Sequence, residues 1–327
     1  MHFLLDIILV VLGVAMVLYG ADRLTEGASQ LARRFNVGEM IIGLTIVAFG
    51  TSMPEFVISL MSALKGSSDL ALGNIVGSNI FNTLLIVGVA AMIAPLTVAK
   101  ETVTRIMPYT IFATIALIVI CLAVVNPNFS FNIKGNTIQR LDGAILLLFF
   151  IVFMRYTIKK AKNQKADAAN EPQNSTPQQS VAKSSLFIVL GLTLLIWGSN
   201  IFVDAAVGIA QQLNVSESVI GLTIVAFGTS LPELATTVVA ARKGSAEMAI
   251  GNVLGSNVFN ILWIVGCTSV ICPMQINDVT LLDLSMMLVS MMLLLVFSWS
   301  KYKVERWEGA VLTVVFLLYL TYLLINA

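Results

Sequence analysis

Apolar residues fall into ten stretches separated by short polar turns and one long polar segment. A helix of about 20 residues crosses the hydrocarbon core of a bilayer. On that ruler the spans lie near 3–22, 40–64, 70–94, 105–126, 142–159, 185–205, 217–241, 247–272, 281–299 and 307–325. Residues 160–184, KAKNQKADAANEPQNSTPQQSVAKS, lack periodic apolar positions and read as a flexible linker between two halves. The N-terminal MHFLLDIILV has no basic flank and no small-residue cleavage site, so it reads as the first span rather than a leader. The expected fold class is an all-α polytopic membrane protein.

A sequence repeat divides the chain. Twelve of the thirteen residues of GLTIVAFGTSMPE, Gly43–Glu55, return as GLTIVAFGTSLPE at Gly221–Glu233, an offset of 178. The similarity is wider than this block: Tyr19-Gly20 matches Trp197-Gly198, Asn36-Val37 matches Asn214-Val215, and Pro95 matches Pro273. Five spans, an odd number, separate the two copies, so they enter the bilayer in opposite directions. The expectation is two inverted-topology five-helix repeats related by an axis in the membrane plane. The first covers 1–159 with its core at about 40–95, and the second covers 185–327 with its core at about 217–273.

Charge supports the span count. With ten spans, one side of the membrane holds Arg23, Arg33, Arg34, Lys100, Arg105, Arg155, Lys159, Lys160, Lys162, Lys165, Lys183, Arg242, Lys243, Lys301, Lys303 and Arg306. The other holds only Lys65, Lys134 and Arg140. The basic side is the cytosol, which places residues 160–184 in the cytosol and both termini on the outer side of a cytoplasmic membrane. Composition agrees, with 57% hydrophobic residues, 11% charged and a mean hydropathy of +0.91, where a soluble domain carries roughly a quarter charged. Cys121, Cys267 and Cys272 lack metal-ligand spacing and read as small apolar residues. The single histidine, His2, excludes a histidine-rich metal site.

The chemistry lies in the repeated blocks. Each carries a glutamate, Glu55 or Glu233, inside an apolar span with no Lys or Arg near it in sequence. A carboxylate at membrane depth is expensive, and such residues mark ion or substrate pathways. Thr51 and Thr229 lie four residues before the glutamates and share their helix face. Ser52 and Ser230 lie between, and Pro54 and Pro232 break the backbone ladder, so carbonyls near each kink, Ala48 and Ala226 among them, can turn toward a cation. The spans that follow read GNIVGSNIFN, with Asn74, Ser78, Asn79 and Asn82, and GNVLGSNVFN, with Asn252, Ser256, Asn257 and Asn260. Ser78 with Asn82, and Ser256 with Asn260, again share a face. The set is all oxygen and suits hard cations, Ca²⁺ or Na⁺, rather than zinc or copper. Two uncompensated carboxylates repel in a low dielectric, so Ca²⁺, several Na⁺ or protons compete for one pocket.

Other polar residues read as structural. Asp6, Asp22, Asp142 and Asp204 sit near span ends, Asp69 and Glu247 read as helix N-terminal charges, and the N-x-S/T triplets at Asn128, Asn174 and Asn214 are no more than chance provides. No nucleotide-binding G-x-x-x-x-G-K-[ST] loop or catalytic domain is present, so neither an enzyme nor an ATP-driven pump is expected. No cofactor, nucleic-acid partner or obligatory protein partner is indicated.

At GTSMPE…GNIVGSNIFN and GTSLPE…GNVLGSNVFN the chain resembles the Ca²⁺/cation antiporter superfamily, specifically prokaryotic sodium/calcium exchangers of the YrbG type. The likeness covers nearly the whole chain. It implies ten helices with ion sites formed by the second, third, seventh and eighth. It further implies Glu55 and Glu233 as the main shared Ca²⁺/Na⁺ ligands, with Thr51 and Thr229 assisting. The carbonyls of Ala48 and Ala226, the hydroxyls of Ser52, Ser78, Ser230 and Ser256, and the amide of Asn82 would complete the Na⁺ sites. The first and sixth helices would slide across this core. Many relatives have Asp where this chain has Asn260; two carboxylates rather than three argue against potassium dependence. A Ca²⁺/H⁺ or other divalent-cation/H⁺ exchanger is the alternative.

Overall fold

A computed structural model describes residues 2–122, 133–168, 180–213 and 226–326. The described residues are helical, with four two-residue strands among them. In order, the elements are α1 (His2–Phe35), α2 (Glu39–Thr51), α3 (Met53–Leu64), α4 (Ser68–Ile93), β1 (Leu96–Thr97), α5 (Thr102–Cys121), β2 (Thr137–Ile138) and α6 (Arg140–Ala168). There follow α7 (Val181–Gln212), α8 (Ala226–Thr229), α9 (Leu231–Arg242), α10 (Ala246–Ile271), β3 (Met274–Gln275), α11 (Leu281–Lys301), β4 (Lys303–Val304) and α12 (Arg306–Asn326).

Among the described residues eight helices are long and apolar enough to cross a membrane, and nine if the pair α2 and α3, bent by 45°, forms one broken span. Nine of the ten expected spans thus have a counterpart. The tenth, 217–241, includes residues 214–225, which lie outside the described set; its described part is α8 and α9. Two spans are much longer than the ruler suggested. Helix α1 continues to Arg33 and Arg34 in its last turn, and α7 begins at the Ser180 cap, whose side chain accepts the Lys183 N–H. The segment expected as a linker is helical to Ala168 and again from Val181. Its Lys, Ala and Gln residues are good helix formers, which lets α6 run on past its apolar face.

The core sits around α4 and α10. Their apolar windows are 78% buried, against 17% for α1 and α12, which border the bundle. Helices α1 and α7 pack antiparallel on glycines: a Cβ on Gly20 would stand 2.8 Å from the Gly191 carbonyl oxygen, and one on Gly13 would stand 2.8 Å from that of Gly198. Small residues at these crossings let the backbones close together, the main source of helix association where lipid is as apolar as the side chains. Antiparallel β1–β4 (Leu96 opposite Val304) and β2–β3 (Ile138 opposite Met274) tie loops of the first half to loops of the second.

Pro54 breaks the second span as expected, though the bend falls at Ser52, with φ −83° and ψ 6°, and α3 restarts with the proline in its first turn, where its missing N–H costs nothing. Among the described residues, four wide, π-type turns occur, interrupting α2, α4 and α10 at Gly43–Val47, Asn82–Ile86 and Phe259–Ile264 and opening α5 at Thr102–Ile106. Asp69 is more than a helix-end charge: its carboxylate accepts the backbone N–H groups of Asn277 and Asp278 at 2.6 and 2.9 Å, pinning the loop before α11. Helix α11 starts with a capping box between Thr280 and Asp283.

Candidate functional site

The breaks at Ser52 and Ser230 place Glu55 in the first turn of α3 and Glu233 in the first turn of α9. Both carboxylates are 1% exposed, and among the described residues neither makes an ion pair. Each instead receives a hydroxyl from the other half of the chain. Ser52 Oγ donates to Glu233 Oε1 at 3.0 Å, and Ser230 Oγ donates to Glu55 Oε1 at 3.2 Å. Ser230 also lies 3.3 Å from Ser78 Oγ on α4. Among the described residues the second oxygen of each carboxylate has no partner.

Amides hold the backbones of the two glutamates. Asn74 Nδ2 donates to the Glu55 carbonyl at 3.4 Å and to Ser59 Oγ at 3.0 Å. At the positions 178 later, Asn252 Nδ2 donates to the Glu233 carbonyl at 3.5 Å and to Thr237 Oγ1 at 3.0 Å. Thr51 Oγ1 donates to Asn252 Oδ1 at 3.3 Å, so the first half's threonine leans on the second half's amide. Across the middle of the core Asn82 Nδ2 donates to Asn257 Oδ1 at 3.3 Å, and Asn257 Nδ2 donates to Thr83 Oγ1 at 2.8 Å.

The expected site residues are therefore largely brought together. Glu55, Ser230 and Ser78 are joined by hydrogen bonds between the halves, as are Glu233 and Ser52, and Thr51 reaches Asn252, which holds the Glu233 backbone; Asn82 belongs to a separate chain with Asn257 and Thr83. Ser256 bears on the Glu233 carboxylate without completing a hydrogen bond, and it is fully buried. Thr229, 7% exposed, closes α8 just before the break. Asn260 is 1% exposed, and both its amide atoms are unpartnered among the described residues. The Ala48 carbonyl does not stand free; it accepts the Ser52 N–H at 3.0 Å and the Thr51 hydroxyl at 3.4 Å. Ala226 begins α8, and its side chain is outside the described set. At the second break the Gly228 carbonyl, which Pro232 cannot serve, accepts the Ser199 hydroxyl from α7.

Three contributors were missed in the sequence. Ser59 and Thr237 stand four residues after the glutamates at matching positions, a repeated spacing that marks them even though a lone hydroxyl in an apolar span does not. Ser199 has no such signal, because its counterpart at 21 is alanine.

The arrangement can bind cations. Glu55 Oε2, Glu233 Oε2, Asn82 Oδ1, Ser256 Oγ and Asn260 Oδ1 are buried oxygens without partners among the described residues, and leaving such atoms unserved costs about 1–3 kcal/mol each, more where charged. Oxygen ligands with two carboxylates match hard cations. Among the described residues no cluster of three or more His, Cys, Asp or Glu gathers as for a transition metal.

Comparison with known proteins gives the same direction. The family model described as sodium/calcium exchanger protein matches residues 5–159 and 183–325. The chain is 37% identical to a putative antiporter of Alkalimonas amylolytica, covering 98% of each protein. It is 29% identical to a sodium/calcium exchanger of Methanosarcina acetivorans, covering 97% of this chain and 98% of that one. The fold is similar to that of the sodium-calcium exchanger NCX_Mj soaked with 10 mM Na⁺ and zero Ca²⁺, with a TM-score of 0.81, 30% identity and 98% of this chain covered, 99% of the other.

Proposed function

The chain belongs to the sodium/calcium exchanger protein family, a family of membrane transporters rather than enzymes, and from that premise we propose that it exchanges several Na⁺ for Ca²⁺ across the cytoplasmic membrane by alternating access. The observation that carries this reading is the crossed pair Ser52–Glu233 and Ser230–Glu55, which unites two unpaired, buried carboxylates from the two repeats. Glu55 and Glu233 ligate Ca²⁺ and neutralise it; with Na⁺ they act alongside the oxygens of Thr51, Thr229, Ser52, Ser230, Ser78, Ser256, Asn82 and Asn260. The carbonyls of Ala48 and Ala226 contribute where the helices break, that of Ala48 on exchanging the Thr51 hydroxyl it accepts for the ion. Because one pocket serves both ions, filling it with Na⁺ expels Ca²⁺, and the reverse. That competition makes exchange.

Two inverted five-helix repeats, ten spans, outward termini and a cytosolic 160–184 segment follow from the odd span offset and the sorting of Lys and Arg. The hydrogen bonds repeated at an offset of 178 support the repeat. Each half offers a broken helix to a shared midplane site, the arrangement that lets one body move against another around bound ions. Calcium uptake into vesicles of purified protein, driven first by a Na⁺ gradient and then by a pH gradient at clamped voltage, tests the coupling ion. Uptake with Na⁺ alone is expected. Uptake with the pH gradient alone assigns the same two carboxylates to Ca²⁺/H⁺ exchange.

A further inference from the structure

Behind Asn82 a chain of hydrogen bonds runs in one direction. The single hydroxyl proton of Thr83 goes to the Asn79 carbonyl, one turn earlier, at 2.9 Å. Thr83 Oγ1 can then only accept, and it accepts from Asn257 Nδ2 at 2.8 Å. With its amino group committed, Asn257 turns its oxygen to Asn82, whose Nδ2 donates to it at 3.3 Å. Asn82 is left with Oδ1, which is buried and without a partner among the described residues. Asn82 shares a helix face with Ser78, which bonds to Ser230 beside Glu55. The Met291 sulfur stands 3.5 Å from both Thr83 Oγ1 and Asn257 Nδ2 and closes the far side.

The repeat, at its offset of 178, relates Asn79 to Asn257 and Asn82 to Asn260. The elements pack alike in both halves. The wide turn Asn82–Ile86 lies against Ala246–Val258 of α10, and the wide turn Phe259–Ile264 lies against Ser68–Phe81 of α4. The hydrogen bonds differ. Asn82 donates to Asn257, but Asn260 does not donate to Asn79: Asn260 Nδ2, Asn260 Oδ1 and Asn79 Oδ1 are all buried and unpartnered among the described residues. Asn79 instead donates back to the Ile75 carbonyl of its own helix at 2.7 Å. The sequence supplies the reason. Thr83 is matched by Ile261 and Met291 by Ala113, and neither replacement has a polar atom with which to hold an amide. One amide is fixed while its repeat-related counterpart is not.

We propose that Thr83 is a positioning residue which, acting through Asn257, keeps the oxygen of Asn82 rather than its amino group turned toward the bound cation. This rests on the reading above of Asn82 as an oxygen ligand for Na⁺. The two ends of a carboxamide have nearly the same shape and opposite polarity, so packing alone does not choose between them. A cation facing the amino group would meet the positive ends of two N–H dipoles. Without the Thr83 hydroxyl, the Asn257 amino group keeps only the Met291 sulfur, a weak acceptor. The Asn257 amide can then turn over, and Asn82 turns with it. The two repeat-related amides are thus unequal ligands: Asn82 offers its oxygen before the ion arrives, whereas Asn260 has to be turned by the ion.

The test uses the purified full chain and reads Na⁺ and Ca²⁺ affinity separately, from the rise of the unfolding temperature with each ion. Thr83→Val removes the hydroxyl and keeps the shape. It should weaken Na⁺ binding roughly three- to tenfold, the worth of one neutral hydrogen bond, with a smaller change for Ca²⁺. Thr83→Ser keeps a hydroxyl and should restore the affinity. The decisive comparison is Asn82→Ala with and without Thr83→Val. A residue that acts only through Asn82 adds no further loss once that amide is gone. Additive losses overturn the proposal, as does a Thr83→Ser variant as weak as Thr83→Val, or a Thr83→Val loss that falls on a different ion from the Asn82→Ala loss. An Asn82→Ala variant that binds both ions like the wild type also overturns it. A wild type that does not bind Na⁺ removes the Na⁺/Ca²⁺ reading instead, and the same double-mutant comparison then tests the relay on Ca²⁺.

Discussion

Ser52 reaches across 181 positions of the chain to donate its hydroxyl to Glu233 at 3.0 Å. Ser230 answers by donating to Glu55 at 3.2 Å. Each carboxylate is therefore oriented by the half of the protein that does not carry it, and neither half holds a finished site. A hydrogen bond to a charged group contributes about 1.5–3 kcal/mol. Ser52→Ala and Ser230→Ala should each weaken Ca²⁺ binding about tenfold or more, measured by calorimetry on the purified protein. Equal losses are expected from the repeat. A loss in one variant alone would mean that the crossed pair does not act as a unit.

Removing a carboxylate goes further. Glu55→Gln or Glu233→Gln keeps the shape of the side chain but leaves one charge for a divalent ion. Ca²⁺ affinity should fall by at least about a hundredfold, since breaking one side of a buried charge pair costs about 3–5 kcal/mol. Thermal unfolding in detergent without Ca²⁺ should not fall, because the unpartnered Oε2 atoms lose a desolvation cost when neutralised. Wild-type Ca²⁺ transport in either variant would remove that glutamate from the pathway.

Much of this site could be read from the residues themselves. A glutamate in an apolar span is costly enough that its duplication at an offset of 178 points to one shared purpose, and the oxygen-only neighbourhood gives the class of ion. What could not be read follows from physics that leaves no local mark. Ser52 faces Glu233 rather than the nearby Glu55 because the halves interlock, a relationship of tertiary packing. The wide turn at Asn82–Ile86 has no Gly or Pro within it. The lengths of α1 and α7 escaped the apolar ruler because their ends are polar yet still helical. The break at Ser52 was legible from Pro54, although its place two residues earlier reflects the proline's preference for a first turn.

Outside the spans, Glu101 offers a pH-dependent contact between the start of α5 and the end of α6. Burial alone would raise its carboxyl. Hydrogen bonds from Lys160 and Tyr156, with the charges of Lys160 and Arg105, outweigh that and hold it below its ordinary value of 4.5. A depressed acid stabilises the fold above its unfolded value, and the gain is lost as pH falls through the folded one. The side chain is 40% exposed, so the effect is small. Glu101→Gln should lower the unfolding temperature in detergent by roughly one or two degrees at neutral pH. The gap should close on acidification below about pH 4. A gap that persists in acid would show that packing, not charge, is lost.

Asn260 decides how many charges the pocket holds. It is 1% exposed, and among the described residues neither its amide nitrogen nor its oxygen finds a partner. As it stands, two carboxylates balance one Ca²⁺, and a neutral amide can offer its oxygen without adding charge. Asn260→Asp is nearly isosteric, so the fold should be kept while the pocket gains a third negative group. With Ca²⁺ bound, that pocket carries an excess charge in a low dielectric, an expensive state unless a further cation enters. A proton or an added monovalent ion is the available remedy. Exchange by the variant should therefore be more steeply pH-dependent across about pH 5–9 than exchange by the wild type. Rates measured in vesicles with fixed Na⁺ and Ca²⁺ gradients and clamped voltage separate the two. Identical profiles would place Asn260 outside the reach of the transported ions and leave its unpartnered amide to be explained by packing alone.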